Sequence, residues 1–200
     1  FWLKNKSIQY LYSKAKPIPK GNAMTMKRAR EEAVSPTAAL VDDPVAAAIR
    51  NTLIVSKLDH LPDSTNTAFL CTHHGGFHCD EALALAMLKI LPEFSDMPIV
   101  RTRDPAIIEK AKLVVDVGGI YSHEQRRYDH HMGDFTTTYA PEYTTTKLSS
   151  AGLVYKHFAK QILESILKKA GGASELAKSG STQDLEKIVE KIYRGLIEEV

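Results

Sequence analysis

Three short runs of histidines and carboxylates carry the residue types that can do chemistry. The first is His73-His74-Gly75-Gly76-Phe77-His78-Cys79-Asp80-Glu81, the second is Asp116 after Val114-Val115, and the third is Asp129-His130-His131. Imidazole nitrogens mixed with carboxylate oxygens suit manganese, zinc, iron or magnesium ions, and one carboxylate can bridge two cations that would otherwise repel. Asp116 is the bridging candidate. It follows an apolar strand pattern, where an unpaired carboxylate would cost several kcal/mol or be forced to protonate. Two cations roughly 3.5–4 Å apart lower the pKa of a shared water and stabilise both the attacking and the leaving oxygen of a phosphoryl transfer. The chemistry expected of His74, His78, Asp80, Asp116, Asp129, His130 and His131 is therefore phosphodiester hydrolysis at a two-metal centre. Each run also has a plainer account: a surface histidine pair, a turn-capping aspartate, a tripeptide that occurs by chance. Their joint occurrence at successive strand ends favours the metal.

Such residues need elements that bring them together. Thr67 to His73 reads as a buried strand, Gly75-Gly76 as a turn, and Cys79 to Leu91 as a helix apolar nearly all round. Pro98 to Arg101 is a second strand, and Asp104-Pro105 is an N-cap followed by proline at the first helical position, opening a helix to about Lys112. Leu113 to Val117 is a third strand and Arg127 to His130 a further one. Ser149 or Ser150 caps a long helix to about Ala170, Gly171-Gly172 ends it, and Ser181 or Thr182 opens a last helix. Strands and helices alternating at this spacing predict an α/β fold, a parallel sheet with helices on both faces. In such sheets ligand sites form outside the carboxyl ends of the strands, where all three runs fall.

The 200 residues, 44% hydrophobic and 25% charged, suffice for one ordinary core with an extra segment beside it. A net charge of +2 gives no whole-chain argument for a nucleic-acid or membrane partner. The distribution is uneven: residues 1–30 hold eight Lys and Arg and no acid, interleaved with Trp2, Leu3, Ile8, Tyr10, Leu11 and Tyr12. That segment reads as a targeting-like basic arm, residues 31–65 as a linker whose one apolar stretch is Leu53 to Val55, and residues 66–200 as the domain. Lys27-Arg28-Ala29-Arg30 also suits nuclear import. No apolar run reaches the roughly 18 residues of a membrane span. Cys71 and Cys79 offer no disulfide framework, so a reducing compartment is expected. Phe1 and the unstopped helical pattern at Val200 give the chain the look of a fragment, with Met24 or Met26 as alternative starts. Oligomeric state is left open.

Five blocks together resemble a known family. Thr72-His73-His74-Gly75-Gly76-Phe77-His78-Cys79-Asp80-Glu81-Ala82, Val100-Arg101-Thr102-Arg103-Asp104-Pro105, Val114-Val115-Asp116-Val117-Gly118-Gly119, Tyr128-Asp129-His130-His131 and Thr146-Lys147-Leu148-Ser149-Ser150-Ala151-Gly152 look like the melanocyte proliferating gene exonuclease family of the DHH phosphoesterase superfamily. The resemblance covers about residues 66–160. It implies a DHH-phosphoesterase-like N-terminal domain, with the smaller C-terminal domain and a further Asp ligand beyond Val200. By the same resemblance, His74, His78 and Asp116 hold one metal, and Asp80, Asp116 and His130 the other. His131 then faces the phosphate and Asp129 orients a histidine. The implied activity is 3'-5' exonuclease action on single-stranded RNA with two divalent ions, manganese first and magnesium or zinc as alternatives, in mitochondrion and nucleus.

Arg101, Arg103, Arg126, Arg127 and Lys147 flank the strand ends, and Arg103 and Arg127 are candidates for holding phosphate. Phe77, Tyr128 and Tyr139 are candidates for stacking on a base, with core or lid packing as the plainer account. Thr136 to Tyr139 and Thr144 to Lys147 suit a polar flap, and a plain surface loop accounts for them equally well. Glu81 reads as a first-turn acid favoured by the helix dipole, with acid-base work as the alternative. Two other functions remain open: hydrolysis of a small phosphoanhydride or dinucleotide, and a non-catalytic metal- or RNA-binding module.

Overall fold

The computed structural model describes residues 52–61, 63, 65–169 and 182–200. The basic arm, most of the stretch read as linker, the Gly171-Gly172 stop and Ser181 lie outside the described residues. Six short strands are present: β1 (Ile54–Val55), β2 (Leu70–Thr72), β3 (Ile99–Arg101), β4 (Leu113–Val115), β5 (Tyr121–Ser122) and β6 (Arg127–Tyr128). The helices are α1 (Cys79–Ile90), α2 (Pro105–Lys110), α3 (Ser150–Lys169) and α4 (Thr182–Gly195). The strands form one sheet in the order β1-β3-β2-β4-β6-β5. Every pairing is parallel except β5 with β6.

Alternation along the strands divides the core. Leu70, Ile99, Leu113, Val115 and Tyr128 point into a cluster shared with α1, α3 and α4. Cys71, Val100 and Val114 point the other way, into a smaller cluster covered by Ile107 and Ile108 of α2. Apolar side chains are therefore needed at every strand position, which is why β2 and β4 read as continuous hydrophobic runs.

The structure adds two strands to those expected. Ile54 and Val55, within the stretch read as linker, pair with Ile99 and Val100 as a sheet edge. Tyr121 and Ser122 turn back along β6 in an antiparallel hairpin, with Arg126 at φ 56° in its turn, so the sheet is mostly rather than wholly parallel. Two residues are too few for any periodic signal.

Two side-chain caps fix the starts of α2 and α3. Asp104 accepts a hydrogen bond from the Ala106 N–H at 2.9 Å and starts α2. Ser149 accepts from the Gly152 N–H at 3.2 Å at the start of α3. A Cβ at Gly152 would sit 2.8 Å from Leu148 Cδ2, so the buried Leu148 side chain would have to shift to admit one. The polar stretch read as a flap is pinned: Tyr139 stacks on Tyr193 of α4 at 3.9 Å, and the Thr138 carbonyl accepts from Lys156 Nζ at 2.7 Å. Among the described residues no helix is long and apolar enough to cross a membrane. Both cysteines are free, Cys71 buried and Cys79 exposed.

Where β5 and β6 meet α3, His157 stacks face to face on His123, ring centroids 3.8 Å apart, and its Nε2 lies 2.9 Å from the Tyr121 hydroxyl. Burial, then the neighbouring His123 and Lys156, push the His157 pKa down to about 4. The unfolded chain takes this proton first, so the site's contribution to stability is complete above the ordinary imidazole value and is lost as pH falls towards about 4. Partial exposure screens the effect to about 1–2 kcal/mol. Chemical denaturation at pH 7 and pH 4.5 should therefore show a smaller acid loss for His157→Gln than for the wild type. Equal acid losses would remove His157 as the cause.

Candidate metal centre

The order of strands creates the site. The chain leaves β2 for β3 on one side, then crosses to β4 on the other, so a crevice opens at the carboxyl ends of β2 and β4. His73 follows β2 and Asp116 follows β4. Gly75, at φ 108°, turns the chain sharply after His73 and brings His78 back to start α1. The His73 and His78 rings lie 5.1 Å apart.

His73 is buried. Its Nδ1 lies 3.1 Å from the His74 carbonyl; in the tautomer that donates Nδ1–H to that oxygen, Nε2 keeps a free lone pair. That Nε2 is 3.5 Å from Glu81 Oε1 and 3.4 Å from Asp116 Oδ2. Glu81 is fully buried, and its Oε1 accepts the His78 N–H at 2.7 Å in a capping box. Asp116 is 4% exposed and holds φ 58°, a left-handed backbone uncommon outside glycine, asparagine and aspartate. Such strain persists where the surroundings over-determine it, commonly at functional sites.

On the other side of Asp116, His130 Nε2 lies 3.4 Å from Asp116 Oδ1 and 3.2 Å from Asp80 Oδ2. Asp116 and Asp80 together outweigh burial and raise the His130 pKa to about 10. Burial disfavours the charged form of Asp80, yet His130 and the backbone N–H groups of Ala151 and Ser150 hold its pKa below the usual carboxylate range. Those N–H groups reach Asp80 at 2.5 and 3.0 Å, so this carboxylate ties the first turn of α3 to the site. Asp129 is buried and accepts four times: from the His130 and His131 N–H groups, from Gly119 N–H at 2.6 Å, and from His131 Nδ1 at 2.7 Å. These bonds prevail over burial and keep its pKa low. Asp129 thereby orients His131, whose side chain is 63% exposed.

These residues fit divalent cations. Two groups have ligating atoms within 4.8 Å of one another, His73 with His78, Glu81 and Asp116, and Asp116 with His130 and His131. Three buried atoms in these groups, His73 Nε2, Glu81 Oε2 and Asp116 Oδ1, have no hydrogen-bond partner in the protein. A buried acceptor left without a donor is costly; a cation beside His73 would satisfy His73 Nε2 and Glu81 Oε2, while Asp116 Oδ1 faces the second group. The mixed imidazole and carboxylate donors suit the borderline and hard metals of the transition series.

Of the residues expected from the sequence, the structure brings together His78, Asp80, Asp116, Asp129, His130 and His131. His74 is exposed and stands outside both groups, and its neighbour His73 occupies the buried position. With two adjacent histidines, the inward one is decided by the direction in which β2 ends, which the run of residues does not state. Glu81 is the other addition; its signal was the His78-x-x-Glu81 spacing of a capping box. Arg103 and Arg127 lie apart from the metal groups and line a separate cavity of about 580 Å³ with Ile108, Val117 and Ile120. Arg127 is committed there to the carbonyls of Gln125, Arg126 and Glu109, which makes it a brace rather than an open phosphate hook. Asp184 sits in the first turn of α4, 3.6 Å from Lys187.

The fold and the site define an α/β domain with a buried cluster of histidines and carboxylates able to hold a metal ion, at the switch point of a mostly parallel sheet. The chain belongs to the MYG1 exonuclease family: the model of that family, described as an uncharacterised protein family (UPF0160), matches residues 69–200. It is 46% identical over 133 residues to the MYG1 exonuclease of Mus musculus, covering 64% of this chain and 33% of that relative. The Homo sapiens MYG1 exonuclease matches with the same identity and coverage. The MYG1 protein of Dictyostelium discoideum is 42% identical over 131 residues, 66% of this chain and 36% of the relative. The chain thus spans about a third of the length of these relatives. No solved structure gives a significant match.

Proposed function

We propose that this chain supplies the metal-binding part of a phosphodiester hydrolase, most specifically a 3'-5' exonuclease acting on single-stranded RNA. The observation that carries the reading is Asp116, a buried, backbone-strained carboxylate shared by two cation-binding groups. The names of the mouse and human relatives support nuclease action. The order of motifs supports a place in the DHH phosphoesterase superfamily.

In this reading His73, His78, Glu81 and Asp116 hold one divalent ion, and Asp116, His130 and Asp80 a second, with manganese the preferred metal and magnesium or zinc as alternatives. Such a pair, when bound, acidifies water and offsets charge on the attacking and leaving oxygens of an in-line displacement. The protein's own residues do the rest. Asp129 fixes the His131 ring through Nδ1, so the exposed Nε2 edge can face a phosphoryl oxygen. The basic segment of residues 1–30 supports delivery to mitochondrion and nucleus.

The test is manganese-dependent shortening of 5'-labelled single-stranded RNA by the full-length protein. A ladder receding from the 3' end is expected. Intact RNA alongside turnover of a dinucleotide or small phosphoanhydride would replace the substrate class, and no turnover of any phosphoester would leave a metal-binding module.

A further inference from the structure

Three aromatic side chains near the strand ends could receive a base, and the structure separates them. Tyr128 is fully buried in the core, and Tyr139 is stacked on Tyr193. Phe77 is different: at 60% exposure it is the most exposed large hydrophobic side chain among the described residues and the one aromatic in that set. A lone exposed apolar residue is ordinary. Phe77, however, is held in place. The Arg101 guanidinium covers one face of its ring, with Cζ 3.7 Å from the ring centroid. Arg101 is itself fixed, since Nη2 donates to the Gly76 carbonyl at 3.2 Å and the residue sits at the carboxyl end of β3, beside Thr72 of β2. The ring follows the Gly75-Gly76 turn and directly precedes His78 of the metal group.

We propose that Phe77, backed by Arg101, is the stacking platform for a nucleobase next to the phosphodiester at the metal centre. This rests on the nuclease reading above and adds to it a subsite for the strand. Each base presents a π face, so a phenyl ring grips any of them with little sequence preference. Arg101 polarises the ring from behind and pre-sets its rotamer, which lowers the ordering cost when a base arrives. Two metal groups and one ring then define a short binding register: phosphate on the ions, adjoining base on Phe77.

The experiment measures binding of full-length protein, with calcium in place of manganese to keep the strand intact, to a fluorescent single-stranded RNA. A second strand carries abasic residues at its two terminal positions. Phe77→Ala should weaken binding to the normal strand about tenfold or more and leave the abasic strand unchanged, while Phe77→Trp should retain wild-type binding to both. An equal loss on the two strands, or no loss on either, overturns the platform. The parallel cleavage assay in manganese keeps the two ideas apart: a wild type that cleaves RNA while Phe77→Ala binds normally removes the platform alone. A wild type that neither binds nor cleaves nucleic acid removes the nuclease reading and the platform with it.

Discussion

Asp116→Asn is expected to abolish metal-dependent hydrolysis while leaving the metal-free domain folded. Asparagine keeps the shape and tolerates the left-handed backbone that Asp116 adopts at φ 58°, so no steric reason for unfolding arises. What it removes is the negative charge shared by the two groups of ligands. Metal assistance to phosphoryl transfer is worth several kcal/mol, and each 1.4 kcal/mol is a factor of ten, so turnover should fall about a thousandfold or more. Manganese should raise the melting temperature of the wild type and not that of the variant, because binding to the folded state alone is what stabilises it. Steady-state cleavage and thermal melts with and without manganese measure both. A lowered melting temperature with turnover per folded molecule unchanged would instead assign the site a structural role.

Asp80→Ala should do something different, and the contrast is diagnostic. Asp80 receives two backbone N–H groups from the first turn of α3 and pairs with His130. Its loss should destabilise the protein by about 2–4 kcal/mol even in a chelator, because a charged cap and its interaction with the helix dipole both disappear. Asp80→Asn, which keeps an acceptor oxygen, should recover part of that stability and little of the activity. Urea denaturation in EDTA reads the effect. Equal stability of Asp80→Ala and wild type under those conditions would show that Asp80 serves the metal and not the helix. The two variants also interact through His130, which touches both carboxylates, so their effects should not add.

Much of this protein is determined by the sequence alone. Cys79–Ile90, Pro105–Lys110 and Ser150–Lys169 follow from helical patterning and from caps that name their own positions, such as Asp104 before Pro105. The three cores of β2, β3 and β4 follow from short apolar runs between turn signals, and the nature of the site follows from histidines and carboxylates at their ends. Local rules suffice there because each signal lies within a few residues of its effect. The edge strands β1 and β5 were different: two residues apiece owe their extended shape to the neighbour they pair with, Ile54 to Ile99 and Tyr121 to Tyr128. The ligand set was divided in the same way. That Asp116 joins two groups required β4 to lie beside β2, and that His73 rather than His74 turns inward required the end of β2 to be placed in space. Asp80 as the cap of a helix seventy residues away and Arg101 as the backing of Phe77 are contacts between distant parts of the chain. Sequence determines which side chains can bind a cation or a base; only packing of the sheet, through the order of its strands and the direction of each final residue, decides which of them meet.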